Sequence, residues 1–221
     1  MSRKAFFHFM RFNEITFLSS HSVDLILNFT SNKAGTEWNG AFFFIHATDP
    51  QFGCYANLKR DVHNFEHELN NSVRLINIVN EMRPKPRFLV LTGDFSDEWP
   101  GSDKVVRKRQ MDAFNRTFSK LGTQTIFSFQ IDKEIELILV CGNHDVGMIP
   151  KPSVIDEYRR RYGDDYYVYT TGGVMFVVIN TSYLYLEIND LLASKQYFWL
   201  RRVLSEKDAR IKHVVVFQHV P

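Results

Sequence analysis

Leu137–Asp145 reads Leu-Ile-Leu-Val-Cys-Gly-Asn-His-Asp: an apolar run stops at a glycine, and an amide, an imidazole and a carboxylate follow at once. A buried parallel strand ends in this way at the mouth of a site. Asn143 offers an amide oxygen, His144 a ring nitrogen and Asp145 a carboxylate. The arrangement recurs along the chain. Phe42–Ala47 leads to Asp49, Phe88–Leu91 to Gly93-Asp94, Val174–Ile179 to Asn180, and Val214–Phe217 to His219. Ligands of open α/β sheets bind outside the carboxyl ends of the strands, so these strand ends predict one shared polar site. Asp, Asp, Asn and His form a mixed oxygen and nitrogen set that suits two divalent metals bridged by one carboxylate.

Taken in order, Asp49-Pro50-Gln51, Gly93-Asp94, Gly142-Asn143-His144-Asp145 and a strand ending at His219 resemble the calcineurin-like metallophosphoesterases. Glu37-Trp38, Asp49-Pro50-Gln51-Phe52-Gly53, Pro84-Lys85-Pro86, Gly163-Asp164-Asp165-Tyr166, Gly172-Gly173-Val174 and Phe217-Gln218-His219-Val220-Pro221 are similar to the protein serine/threonine phosphatase branch of that family. The likeness runs from Thr36 to Pro221; each motif alone is weak, and the ordered set is specific. It implies an α/β fold of four αββα layers and metal-dependent hydrolysis of phosphate monoesters, with a phosphoserine or phosphothreonine protein as substrate.

The resemblance also implies a cofactor of two divalent metal ions, drawn from Mn, Fe, Zn and Mg. Asp49 would bind the first and Asp94 would bridge both, while Asn143 and His219 would bind the second. His144 would face the phosphate as proton donor or charge stabiliser, and Asp145 would orient its ring. The broad family has Asp-x-His where this chain has Asp49-Pro50-Gln51; the Gln51 amide is a weaker ligand for a transition metal than imidazole. The family also carries a further strand and a Gly-His-x-His motif after the position of His219, which the 221 residues do not supply. The expectation is therefore a partial sandwich, truncated at its C-terminus, that binds metal weakly and turns over poorly. Two other readings use the same residues: an inactive interaction protein that keeps half the site, and a nucleotide phosphodiesterase or nuclease with a different rim.

Such residues need alternating strands and helices to position them. Phe65, Leu69, Val73, Ile76 and Val79 recur at helical spacing within 61–82. Met111, Phe114, Phe118 and Leu121 mark a second helix, entered through Lys104, Arg107, Lys108 and Arg109, which read as a solvated basic face. Ser153 starts a short helix that Gly163 ends, Thr170–Gly173 signals a hairpin, and Ser194 caps a helix carrying Tyr197, Leu200 and Leu204. His63-Asn64-Phe65-Glu66-His67 matches a zinc-peptidase pattern. Its two histidines fall opposite the apolar stripe, so a solvated face is expected. Residues 122–131 interrupt the passage from helix to strand and read as an exposed insertion. Residues 1–35 have no convincing period and read as a poorly ordered leader outside the family domain of 36–221.

Composition agrees with a folded globular domain: 44% hydrophobic, 24% charged, formal net charge +2. That balance implies no nucleic-acid or membrane partner. Cys54 and Cys141 lack metal spacing, which fits a reducing, cytoplasmic setting.

Overall fold

The computed structural model describes residues 16–18, 36–38, 40–58, 64–118, 131–132, 134–187 and 190–221. The strands are β1 (Thr16–Leu18), β2 (Ile45–Thr48), β3 (Phe88–Thr92), β4 (Glu136–Val140), β5 (Tyr167–Thr171), β6 (Val174–Val178) and β7 (His213–Phe217). The helices are α1 (Cys54–Leu58), α2 (Glu66–Glu81), α3 (Lys104–Phe118), α4 (Asn143–Val146), α5 (Pro152–Tyr162) and α6 (Asp190–Ser205). A 3₁₀ segment, Thr181–Glu187, precedes α6.

Two sheets result. One is parallel, in the order β2-β3-β4; the other has the order β1-β5-β6-β7, antiparallel except for the β6–β7 pair. Successive strand residues point to opposite faces, and the core divides accordingly. Phe88 and Val90 of β3, Ile138 and Val140 of β4, and Val174, Phe176 and Val178 of β6 meet between the sheets. Leu89 and Leu91 of β3 face the other way and pack under Ile76 and Val79 of α2, Phe114 and Phe118 of α3 and Tyr158 of α5. Met175 and Val177 of β6 pack against Val203 of α6. The order is helices, sheet, sheet, helix: the expected αββα layering. Phe176 lies at the centre, parallel to Tyr169 with ring centroids 5.0 Å apart and to Phe217 at 5.9 Å.

Several local expectations need correction. On α2, Ile76 and Val79 of the expected stripe are buried and Phe65 packs against the same core, but Leu69 is exposed and Glu68 and Ser72 are buried beside it. His67 is exposed as expected, and His63 lies outside the described residues. Arg107 is buried and not solvated, because loop carbonyls surround its guanidinium. In the insertion, 122–130 lies outside the described residues, but Ile131 is 3% exposed and belongs to the helix-side core. Of the leader, Thr16–Leu18 pairs with Val168–Thr170 as an edge strand, and the rest of 1–35 lies outside the described residues. Helix α6 starts at Asp190, a turn before Ser194. Val214 and Val216 of edge strand β7 are exposed. Among the described residues, no helix is long and apolar enough to cross a membrane.

Candidate metal centre

Parallel pairing carries the carboxyl ends of β2, β3 and β4 to one rim. The register Thr48↔Thr92 puts Asp49 and the Gly93-Asp94 turn side by side. Strand β7 runs parallel to β6 in the second sheet, and its continuation brings His219 onto the same rim. Asp49, Asp94 and His219 each offer a ligand atom there, and these atoms lie within 4.8 Å of one another. His219 Nε2 is 3.4 Å from Asp94 Oδ2 and 3.9 Å from Asp49 Oδ1.

The backbone is bent to achieve this. Asp49, Gln51 and Asp94 take left-handed φ values of 53°, 36° and 52°. Non-glycine residues hold that conformation infrequently, Asp more often than most, and such residues cluster at active sites. The Gln51 N–H donates to the Asp94 carbonyl at 2.8 Å, and the Asp49 N–H reaches the Thr92 carbonyl at 3.4 Å, so the two turns brace each other. Glycines supply the remaining closeness. A Cβ on Gly93 would stand 2.0 Å from His219 Nδ1, and one on Gly142 would stand 2.2 Å from Asp94 Oδ1.

Hydrogen bonds set the proton positions. His219 Nδ1 lies 3.2 Å from the Thr92 carbonyl, which can only accept, so Nδ1 carries the hydrogen and Nε2 turns to the carboxylates. Burial works against a charged ring here, but the bond to Asp94 and the charges of Asp94 and Asp49 outweigh it and raise the pKa of His219. Lone pairs of one imidazole and two carboxylates thus converge on a space that a cation satisfies. The donor set therefore fits a divalent metal.

His144 is oriented differently from expectation. Its Nδ1–H donates to the Asp97 carbonyl, and its ring packs on Trp99 with centroids 4.2 Å apart. That leaves Nε2 facing the site, 4.0 Å from Asp94 Oδ2. Asp145 does not hold the ring. Its Oδ1 accepts the Phe95 N–H at 2.9 Å and its Oδ2 the Gly142 N–H at 2.8 Å, so it ties the β3 and β4 loops together. Burial, helped by the charge of Asp94, pushes the Asp145 carboxyl up to about 7 against those two bonds and the Arg107 guanidinium.

Asn143 follows Gly142 at the first turn of α4, and its amide makes no hydrogen bond among the described residues. Gln51 donates its amide to Asp97 Oδ1 at 3.1 Å, which leaves its amide oxygen as the atom able to accept or to ligate. Asn180 does not reach the rim. It is fully buried beside Asp165, which also accepts from Tyr183 and Arg159, so this strand end is structural.

A family model for the calcineurin-like phosphoesterases matches residues 44–221, from the start of β2 through the β7 continuation. The chain belongs to the calcineurin-like phosphoesterase family. Among its curated relatives, a serine/threonine-protein phosphatase CPPED1 from Bos taurus is 38% identical over 199 residues, 86% of this chain and 59% of the relative. The Homo sapiens relative of the same name is 35% identical over 193 residues, 84% of this chain and 58% of the relative. That from Danio rerio is 30% identical, with 84% and 58% covered. The chain thus spans about three-fifths of the length of these relatives.

Within this calcineurin-like domain, sequence reasoning missed Thr92, Asp97, Trp99 and Arg107. Thr92 and Asp97 work largely through backbone carbonyls, which no side-chain pattern reports. Trp99 carried a signal, a large aromatic in a Pro- and Gly-bearing loop beside the site. Beyond Asp49 a cavity of about 360 Å³ opens between the β2 loop, α1 and α2.

Proposed function

We propose that this chain carries the metal site of a phosphomonoesterase whose substrate is a phosphoserine or phosphothreonine protein. The observation that carries the reading is the convergence of Asp49, Asp94 and His219 at the carboxyl ends of strands from both sheets, with His219 Nε2 turned to the carboxylates. The curated relatives, named as serine/threonine-protein phosphatases, support the substrate class.

Asp49, Asp94 and His219 would hold divalent metal, with Asn143 and the Gln51 oxygen as further ligands and Asp94 between two ions. Such ions supply Lewis acidity toward phosphoryl oxygens and acidify water. The chain's own residues supply position and protons. Asp94 Oδ1 accepts the His144 N–H at 2.9 Å, so the Asp94 carboxylate and the histidine loop are fixed to each other. The Asp97 carbonyl holds the hydrogen on Nδ1, so the proton that His144 exchanges is the one on Nε2, on the side of the phosphate. His144 donates that proton toward the leaving oxygen. Trp99 shields one face of the ring from water.

The test combines Mn²⁺ calorimetry with hydrolysis of p-nitrophenyl phosphate. The expected result is weak Mn²⁺ binding and slow, metal-dependent turnover, both lost in Asp94→Asn. Binding without turnover favours the interaction-protein reading; hydrolysis of bis-p-nitrophenyl phosphate in preference to the monoester favours the phosphodiesterase.

A further inference from the structure

We propose that the cavity beside Asp49 is a recognition pocket for a basic side chain, an arginine or lysine next to the phosphorylated residue of a peptide substrate. The inference rests on the phosphomonoesterase reading above, because the metal cluster would hold the phosphate. The cavity measures about 360 Å³, within the range of about 300–1,000 Å³ common for ligand sites. Asp49 lines both the cavity and the metal cluster, and its side chain is 42% exposed. A substrate with its phosphate on the cluster therefore carries its neighbouring residue over this carboxylate into the cavity.

The lining selects for positive charge. Asp49 and Glu68 are on its wall, and no Lys or Arg among the described residues is. The Cys54 thiol, also on the wall, is pushed up by burial and then by the charges of Asp97, Glu68 and Asp49, which marks the same negative field. Glu68 is 7% exposed. One of its oxygens accepts the Tyr55 N–H at 2.6 Å; the other, buried, has no partner among the described residues. A buried carboxylate oxygen without a donor is costly, and its charge, set behind the cavity wall, favours a cation on the cavity side.

The shape selects for a long flat group. Tyr55 and His67 stack with ring centroids 4.5 Å apart and planes 23° apart, which makes an aromatic wall. The Asn71 amide lies 3.1 Å from His67 Nε2 and donates to it, which holds the ring in place. A guanidinium stacks on such a wall. Leu58, Leu75 and Phe118 add apolar lining that covers the stem of the side chain.

The test uses peptides with a non-hydrolysable phosphonate in place of phosphoserine and Arg, Lys, Ala or Glu at each flanking position. Binding to the full chain is read by fluorescence anisotropy with Mn²⁺. At one flanking position, Arg should bind about tenfold tighter than Ala, as one hydrogen bond to a charged group allows, and Glu should bind weakest. Glu68→Gln, which keeps an acceptor for the Tyr55 N–H, should erase the Arg advantage. Leu58→Arg, at an exposed position on the rim, should do the same if Glu68→Gln does not fold. Equal affinities across the series overturn the proposal, as does absence of binding by any peptide or an Arg preference that survives both variants. Hydrolysis of p-nitrophenyl phosphate, measured separately, distinguishes the two readings: an Arg preference without turnover keeps the pocket and removes the reaction.

Discussion

At Gly93 one hydrogen atom keeps the site open, since a Cβ there would stand 2.0 Å from His219 Nδ1. Gly93→Ala should push His219 off the Thr92 carbonyl and lower Mn²⁺ affinity tenfold or more, about 1.4 kcal/mol per decade. Gly101→Ala is the control. It also has a positive φ, 93°, but its Cβ meets open space, so it should lower stability by about 1–2 kcal/mol and leave metal affinity alone. Calorimetric titration of both variants separates clash from backbone strain. Asp145 makes a second case. Its folded pKa, pushed up to about 7, lies above the ordinary 3.8, so the folded chain binds the extra proton between those values. Metal-free stability should therefore fall as pH rises from about 4 to about 7. Asp145→Asn should flatten that slope in urea titrations run across the range, and a slope equal to that of the parent chain would contradict the assignment.

Helix α3 shows how an element serves a site it does not enter. Arg107 donates to the carbonyls of Glu98 and, at 2.9 Å and 2.8 Å, of His144 and Asp145. One buried guanidinium thus clamps the β3 and β4 loops from behind. Burial lowers its pKa against the pull of Asp145, but Arg stays charged in any folded protein. Arg107→Met would leave three carbonyls without a donor and should cost about 3 kcal/mol in chemical denaturation. It should also lower kcat more than it raises KM, because His144 loses its backing. In sequence, Lys104–Arg109 shows four cations in six positions, the signature of a wet face. Nothing in the pattern separates Arg107 from its neighbours; only Val106, Gln110 and Met111, buried with it, reveal the inner side.

At the scale of the molecule, much was legible in sequence because strand ends carry it. The runs before Asp49, Asp94, Asn143 and His219 were visible as apolar segments stopped by polar residues, and the αββα order followed from the family likeness. What stayed hidden has physical reasons. Left-handed φ values at Asp49, Gln51 and Asp94 are set by neighbouring turns and not by residue type. Asn180 shows the same strand-end signal as His219 but meets Asp165 in the interior, since the signal reports where a strand stops and not what lies beyond. On α2 the hydrophobic spacing reports Ile76 and Val79, but not Glu68 and Ser72, whose polar side chains are buried in the first half of the helix.

The origin of the candidate ligands has a mechanical meaning. Asp49 and Asp94 come from one sheet and His219 from the edge strand of the other, which has exposed Val214 and Val216 on its flank. A bound ion would thus be a rivet through two plates, and it would fasten one edge of the second sheet. Its grip follows mass action: at one hundred times Kd it adds about 2.7 kcal/mol. Hydrogen exchange should show that gain unevenly, with Mn²⁺ slowing the amides of 213–217 more than those of β5. Uniform slowing would mean that the ion tightens the whole fold and fastens no seam.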